Sequence, residues 1–222
     1  MTNETFGEWI PLIGDTLLLK YRKMLIDAQN NDIPIEPRPD RVFHCFHDIQ
    51  PQDVKAVILG QDPYPDGSAT GLAFANDPSR RGFRDLSPSL KVVKNSILSL
   101  DSSPESCTFD PTLESWRRQG ILLLNSALTV RRGVPGSHTL AWKPFIDRVI
   151  TGLSSETNCC FILLGKVAWS FKGDIFSPER GVFLEYHPAY YARNGIQMPN
   201  TIWRNMIDYV KDNYGVTLKL YE

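Results

Sequence analysis

The sequence predicts a single α/β domain of three layers, α/β/α, built on a central four-stranded parallel sheet and spanning residues 1–222. Three observations carry this reading. Four short apolar runs have the length of strands, helical patterns lie between them, and no internal repeat, low-complexity tract or long linker divides the 222 residues. Strands that alternate with helices pair in parallel through crossovers, which leaves helices on both faces of the sheet.

Taken in order, a first helix runs through Leu17, Tyr21, Met24 and Leu25. Residues 33–40 (IPIEPRPD) form a Pro-rich connection. The run 55–59 (KAVIL) is the first strand. It is nearly continuous in apolar residues, as strands covered on both faces are. Ser87-Pro88 caps a helix whose stripe is Leu90, Val93, Ile97 and Leu100, with proline at the first helical position. The segment 101–111 is the most loop-like part of the chain. Ile121–Asn125 (ILLLN) and Cys160–Leu164 (CFILL) are the second and third strands. Between them Trp142, Phe145, Val149 and Leu153 mark a helix with Pro144 near its start. Residues 182–186 (VFLEY) form the fourth strand, and Trp203, Met206, Ile207 and Val210 a last helix that ends before Gly215. These stripes of aromatic residues and methionine are read as core.

Composition limits the function classes. A 42% hydrophobic and 22% charged chain has globular composition. No apolar run approaches the ~20 residues of a membrane span, and MTNETFGEW lacks the features of a secretory signal. A cytosolic monomer, or a nuclear one in a eukaryotic host, is the expectation, with no membrane association. Cys45, Cys107, Cys159 and Cys160 form no Cys-x-x-Cys pair, which argues against a disulfide framework, a zinc ribbon and an iron–sulfur cluster. The histidines His44, His47, His138 and His187 are not spaced as a metal set, so no metal or cofactor is expected. Walker A, G-x-G-x-x-G, G-x-S-x-G and HExxH sequences are all absent. A net charge of −1 gives no bulk attraction to nucleic acid. Locally, however, Arg80, Arg81, Arg84, Lys91 and Lys94 face the single acid Asp85 between residues 78 and 94. Arg131, Arg132, Lys166 and Arg193 lie in other candidate loops. Such a cluster reads either as a solvated face or as a phosphate-binding one.

In an open parallel sheet, ligands bind beyond the carboxyl ends of the strands. Gly60-Gln61-Asp62-Pro63-Tyr64-Pro65 follows the first strand. Ser126-Ala127 follows Asn125, Gly165-Lys166 follows the third strand, and His187-Pro188-Ala189 the fourth. An acid, a carboxamide, a Gly-Lys turn and an imidazole thus gather at one edge. Each has a plain structural reading too. Asp62 before proline can open a turn, Asn125 can satisfy backbone groups, and His187 can be structural. Together they suit charge stabilisation combined with polar recognition.

The motifs resemble family 1 uracil-DNA glycosylases. Gly60-Gln61-Asp62-Pro63-Tyr64 looks like the family's water-activating motif, and Gly71-Leu72-Ala73-Phe74 the segment of its base-stacking phenylalanine. Residues 122–130 (LLLNSALTV) are similar to its uracil-reading strand, with Ser137-His138 and Trp142 beyond it. Leu164-Gly165-Lys166 resembles its phosphate loop and His187-Pro188-Ala189 its minor-groove loop. Matches run in register from about Trp9 to Tyr209. The resemblance implies hydrolysis of the N-glycosidic bond of an everted uracil in single- or double-stranded DNA. Asp62 and His187 are then catalytic. Gln61, Tyr64, Phe74 and Asn125 hold the pyrimidine. Pro88, Ser89, Gly165, Lys166, Pro188, Ala189 and Tyr191 touch DNA. It also implies sensitivity to a proteinaceous DNA-mimic inhibitor.

Two departures stand out. Pro65 ends the water-activating motif where histidine is usual, and with His187-Pro188-Ala189 this resembles the poxviral branch. The wedge leucine aligns with Tyr191, with Tyr190 beside it, to plug the gap, to stack on a neighbouring base, or simply to pack. A poor wedge would give single-strand preference. Three other functions compete: a glycosylase for another modified pyrimidine, a non-catalytic DNA-binding or replication-accessory protein, and a small-molecule enzyme on a flavodoxin-like sheet.

Overall fold

A computed structural model describes residues 6–31, 33–79, 86–176 and 181–222. Helices α1 (Trp9–Ile13) and α2 (Asp15–Asn30) lead into a two-residue strand, β1 (Ile35–Glu36). Then follow β2 (Ala56–Gly60), α3 (Pro88–Leu98), α4 (Glu114–Arg117), β3 (Ile121–Asn125) and β4 (Val130–Arg131). The chain continues through α5 (Thr139–Glu156), β5 (Cys160–Leu164), α6 (Lys166–Trp169), β6 (Val182–Glu185), α7 (Pro188–Asn194) and α8 (Thr201–Tyr214).

The main sheet has the order β3-β2-β5-β6, with every pair parallel. All residues of β2, β3 and β5 are buried, as the apolar runs require of strands covered on both faces. Helix α8 lies against β5 and β6, α3 against α7, and α1 against α5. The sheet is therefore sandwiched between helices. Its connections reverse direction between β2 and β5, where such sheets open a crevice beyond their carboxyl ends.

Indoles dominate the interior, and each finds an acceptor. Trp9 Nε1 donates to Ile49 O (2.7 Å), Trp142 to Thr129 Oγ1 (2.6 Å), Trp116 to Leu220 O (3.1 Å) and Trp203 to Ser96 Oγ (2.9 Å). Tyr21 stacks on Trp142 with ring centroids 4.4 Å apart, fixing α2 onto α5. Helix α3 starts as its sequence prescribes: Ser87 Oγ accepts from Leu90 N at 3.2 Å, with Pro88 at the first position. Pro144 lies inside α5 rather than at its first turn. Proline has no N–H to give the carbonyl of Leu140 one turn back, and Leu140 is an exposed residue.

The Pro-rich connection at 33–40 holds more structure than expected. Its β1 pairs antiparallel with β4, and the buried carboxylate of Glu36 accepts from Arg132 Nε at 2.8 Å. Ties of this kind leave nothing periodic in a sequence. Cys45, Cys159 and Cys160 are buried as small core residues, and Cys107 is half-buried. Among the described residues no helix is long and apolar enough to cross a membrane.

Candidate active site

The first loop of the site is built on Gly60, the last residue of β2, which pairs with Asn125, the last of β3. A Cβ at position 60 would lie 2.6 Å from Asn125 Oδ1 and 3.1 Å from the ring of Phe74. Glycine is needed here for space, since the amide and the ring press on the backbone. The two loops are then sewn together. Ser126 Oγ and N donate to Gly60 O (2.7 and 3.0 Å), and Ala127 N donates to Gln61 O (3.1 Å). These bonds immobilise the backbone around Asn125. Its own carboxamide is 8% exposed and takes no hydrogen-bond partner among the described residues. A nearly buried amide with unspent capacity suits a ligand of matching pattern.

Phe74 adopts a left-handed backbone (φ 66°), which a bulky residue takes only when its surroundings enforce it. Two bonds do so: Ala73 N donates to Leu123 O (3.1 Å), and Tyr64 Oη donates to Phe74 O (2.9 Å). The Tyr64 hydroxyl is also 2.7 Å from Ser87 Oγ, the cap of α3, and Ser87 N donates to Asn76 Oδ1 at 2.9 Å. The tyrosine is thus clamped between the phenylalanine segment and the start of α3.

His187 caps α7. Its Nδ1 accepts from Ala189 N at 3.1 Å, so in the neutral ring the proton resides on Nε2. Burial lowers its pKa to about 4, with the guanidinium of Arg193 adding to the effect. The ring lies 5.6 Å from that of Phe74, and a Cβ on Gly165 (φ 92°) would sit 2.8 Å from His187 Cβ. Phe74, Asn125, His187 and Gly165 therefore converge at the carboxyl edge of the sheet.

Asp62 stands two residues beyond Gly60 and is half-buried. Its Oδ2 accepts the amide proton of Gly136, and Pro65 O accepts from Gly133 N at 2.9 Å. The 133–136 turn folds back on the acidic loop and holds it. Burial raises the Asp62 pKa, and the Gly136 bond offsets part of that rise. Gly136 is invisible in the sequence as a site residue, because it contributes only a backbone donor from a turn 74 residues away. The signal available is the pair of glycines, both left-handed here, beside Ser137-His138.

Of the residues expected at DNA, Pro88 and Lys166 are exposed and Ala189 is half-buried, while Ser89, Gly165 and Pro188 are buried; Gly165 N already donates to Glu185 O (2.8 Å) and Pro188 has no N–H, so of these three only Ser89 keeps a backbone donor to offer. Tyr191 corrects the expectation. It is 6% exposed, and its hydroxyl donates to Glu185 Oε1, so it packs inward; Tyr190 is the surface residue. Of the local excess of cations, Arg80, Arg81, Arg84 and the acid Asp85 lie outside the described residues, while Lys91 is exposed and Lys94 half-buried. His44 is structural, whereas His47 Nε2 is buried without a hydrogen-bond partner among the described residues. His44 spends both ring nitrogens, on Thr70 O (2.9 Å) and Glu114 Oε1 (3.1 Å), and no group of three metal-ligating side chains occurs among the described residues.

The Uracil DNA glycosylase superfamily model matches residues 46–211. The chain is 31% identical over 215 residues to the uracil-DNA glycosylase of Borreliella burgdorferi (strain ZS7), covering 91% of this chain and 92% of that one. Its fold is similar to the crystal structure of mimivirus uracil-DNA glycosylase, with a TM-score of 0.80 at 20% identity, over 99% of this chain and 86% of that one. A mimivirus UNG variant, Y322F, solved in complex with UGI, is similar over 82% of this chain and 68% of that one, with a TM-score of 0.66 and 22% identity.

Proposed function

Because this chain belongs to the uracil-DNA glycosylase superfamily, we propose that Asp62, Asn125, Phe74 and His187 form its active site and hydrolyse the N-glycosidic bond of an everted uracil. Uracil excision is the activity of the family, and the reaction leaves an abasic site for base excision repair. The observation that supports this assignment of residues best is the convergence of Asn125 and Phe74 on Gly60, with the His187 ring against Phe74.

A base inside a duplex is out of reach of any such pocket. Turning it out costs a few kcal/mol, least where it is mispaired or already single-stranded. Phe74 then stacks on the ring. The unspent amide of Asn125 accepts from N3–H and donates to O4, and cytosine presents the opposite pattern. A wrong base leaves buried polar groups unpaired at about 1–3 kcal/mol each. Tyr64, clamped through Phe74 O and Ser87, stands against C5, where thymine carries a methyl group. Gln61 lies at the same loop and contributes contact to the pyrimidine. As the bond from C1′ to N1 breaks, the sugar becomes cationic and the base anionic. Asp62, as a carboxylate, stabilises the sugar and orients the water that attacks C1′. His187 stays neutral and donates its Nε2 proton in a hydrogen bond to O2, where charge develops. Preorganised donors of that kind contribute about 3–4 kcal/mol. The segments Pro88-Ser89, Gly165-Lys166 and Pro188-Ala189 meet the flanking DNA, Ser89 through its backbone N–H and Lys166 through its ammonium, while Ala189 N stays committed to His187 Nδ1.

Residues 1–222 would act as one domain and as a monomer, in the cytosol or in a eukaryotic nucleus, open to inhibition by a DNA-mimicking protein. Chromatography of the products tests the central reading. An oligonucleotide with one uracil should release free uracil, and matched oligonucleotides with thymine, cytosine or 5-substituted uracils should release little. Preferential release of another pyrimidine would favour the competing substrate.

A further inference from the structure

His187 is bracketed by two tyrosines that lie face to face on the surface. The rings of Tyr186 and Tyr190 stack with centroids 4.8 Å apart and 29° between planes, yet remain 46% and 39% exposed. They are braced from behind. Trp169 packs on Tyr186 at 5.3 Å, and its Nε1 is held by Leu163 O (3.0 Å) and Glu185 O (3.1 Å). The inward-turned Tyr191 meets Tyr190 edge-on at 5.4 Å. The pair is therefore fixed in place, so an incoming ligand loses little rotamer entropy by stacking on it.

Two cations lie on the short helices that carry Trp169 and Tyr190. Lys166 opens α6, three residues before Trp169, and Arg193 lies on α7 three residues after Tyr190. Both are exposed, and neither makes an ion pair among the described residues. Aromatic faces interleaved with unspent positive charge are how proteins track a nucleic-acid strand, with rings for the bases and cations for the phosphates. We propose that the Tyr186–Tyr190 pair is a stacking platform for the unpaired base of a nucleotide flanking the everted uracil. This rests on the assignment of His187 to the uracil site. A ring pair lying on the surface differs from a side chain pushed into the base stack. It receives a base already unpaired at no further cost, whereas a base in a duplex must first leave its partner. Single strands are the substrate it favours.

The test uses steady-state kinetics on the full chain with a single-stranded uracil oligonucleotide, the same strand annealed to its complement, and a strand whose nucleotides flanking uracil carry no base. Tyr190→Ala should raise KM for the first substrate about ten-fold, with the change falling on KM rather than kcat, and Tyr190→Phe should restore it. On the strand with abasic flanks Tyr190→Ala should have no effect on KM, since no base is there to stack. An unchanged KM on the base-bearing strand, or an equal rise with abasic flanks, overturns the proposal and leaves the patch to a protein partner. Absence of uracil release by the unaltered chain would instead overturn the functional assignment, so the two failures are distinguishable.

Discussion

Because Nδ1 of His187 accepts from Ala189 N, the imidazole can hold one tautomer without any acid behind it. Its lowered pKa keeps it an uncharged donor well below neutral pH. His187→Ala should lower kcat by about a hundred-fold or more in single-turnover assays, with circular dichroism showing the fold retained. Protonation of this ring also bears on stability. Unfolded chain takes up a proton near pH 6.5 and folded chain near 4, so between these values the unfolded state binds more protons and stability falls as pH drops. Denaturant midpoints measured across that window should decline, and the His187→Ala variant should decline less. Asp62, in its proposed role as the carboxylate, should set the acid limb of activity, with a shift in the opposite sense. Its raised pKa means excision should begin to fail at a higher pH than an ordinary aspartate would give. Tyr64 supplies a specificity test, since Tyr64→Ala should admit thymine. Ser87→Ala should erode discrimination in the same direction but less, because it removes only one of the partners that hold the phenol. Product chromatography on uracil and thymine strands reads both.

Gly60, at the end of β2, joins the strand to the site. Gly60→Ala puts a methyl group 2.6 Å from Asn125 Oδ1, so the amide must move. Excision should fall at least ten-fold while thermal unfolding shifts far less than for a core truncation, and unaltered kinetics would contradict the geometry. How much of the fold is legible in the sequence depends on the length and burial of each element. The runs at Ile121–Asn125 and Cys160–Leu164 match β3 and β5 residue for residue, because strands buried on both faces are apolar throughout. The first strand is displaced by one residue: Lys55 N bonds to Gly120 O before the ladder starts, and Gly60 extends the strand to meet Asn125. Strands β1 and β4 and helices α6 and α7 are too short to show a period, so nothing in the sequence announces them. The carboxamide, acid and imidazole are readable because they lie at or just beyond the carboxyl ends of strands. The direction of Tyr191 is not, because it depends on which way a short helix turns after its cap.

For the molecule as a whole, the site depends on a sheet stiff enough to hold loops drawn from residues 60 to 187. Leu123 in β3 is fully buried, and Leu123→Ala should cost about 2–5 kcal/mol, seen as a lowered denaturant midpoint. Packing in the middle of a strand thus supports chemistry at its carboxyl edge, where Leu123 O also anchors Ala73 and the strained Phe74. Binding should weaken with salt even though the net charge is −1, since in the proposed complex phosphate meets local cations such as Lys166 and Arg193 rather than the molecule's average charge. The most direct test of the assembled site is treatment of a uracil-bearing oligonucleotide with the enzyme, followed by alkali to break the strand at any abasic position. The unaltered chain should yield one scission at the uracil, and the Asp62→Asn and Asn125→Ala variants little. Scission that persists in full in both variants would contradict the account.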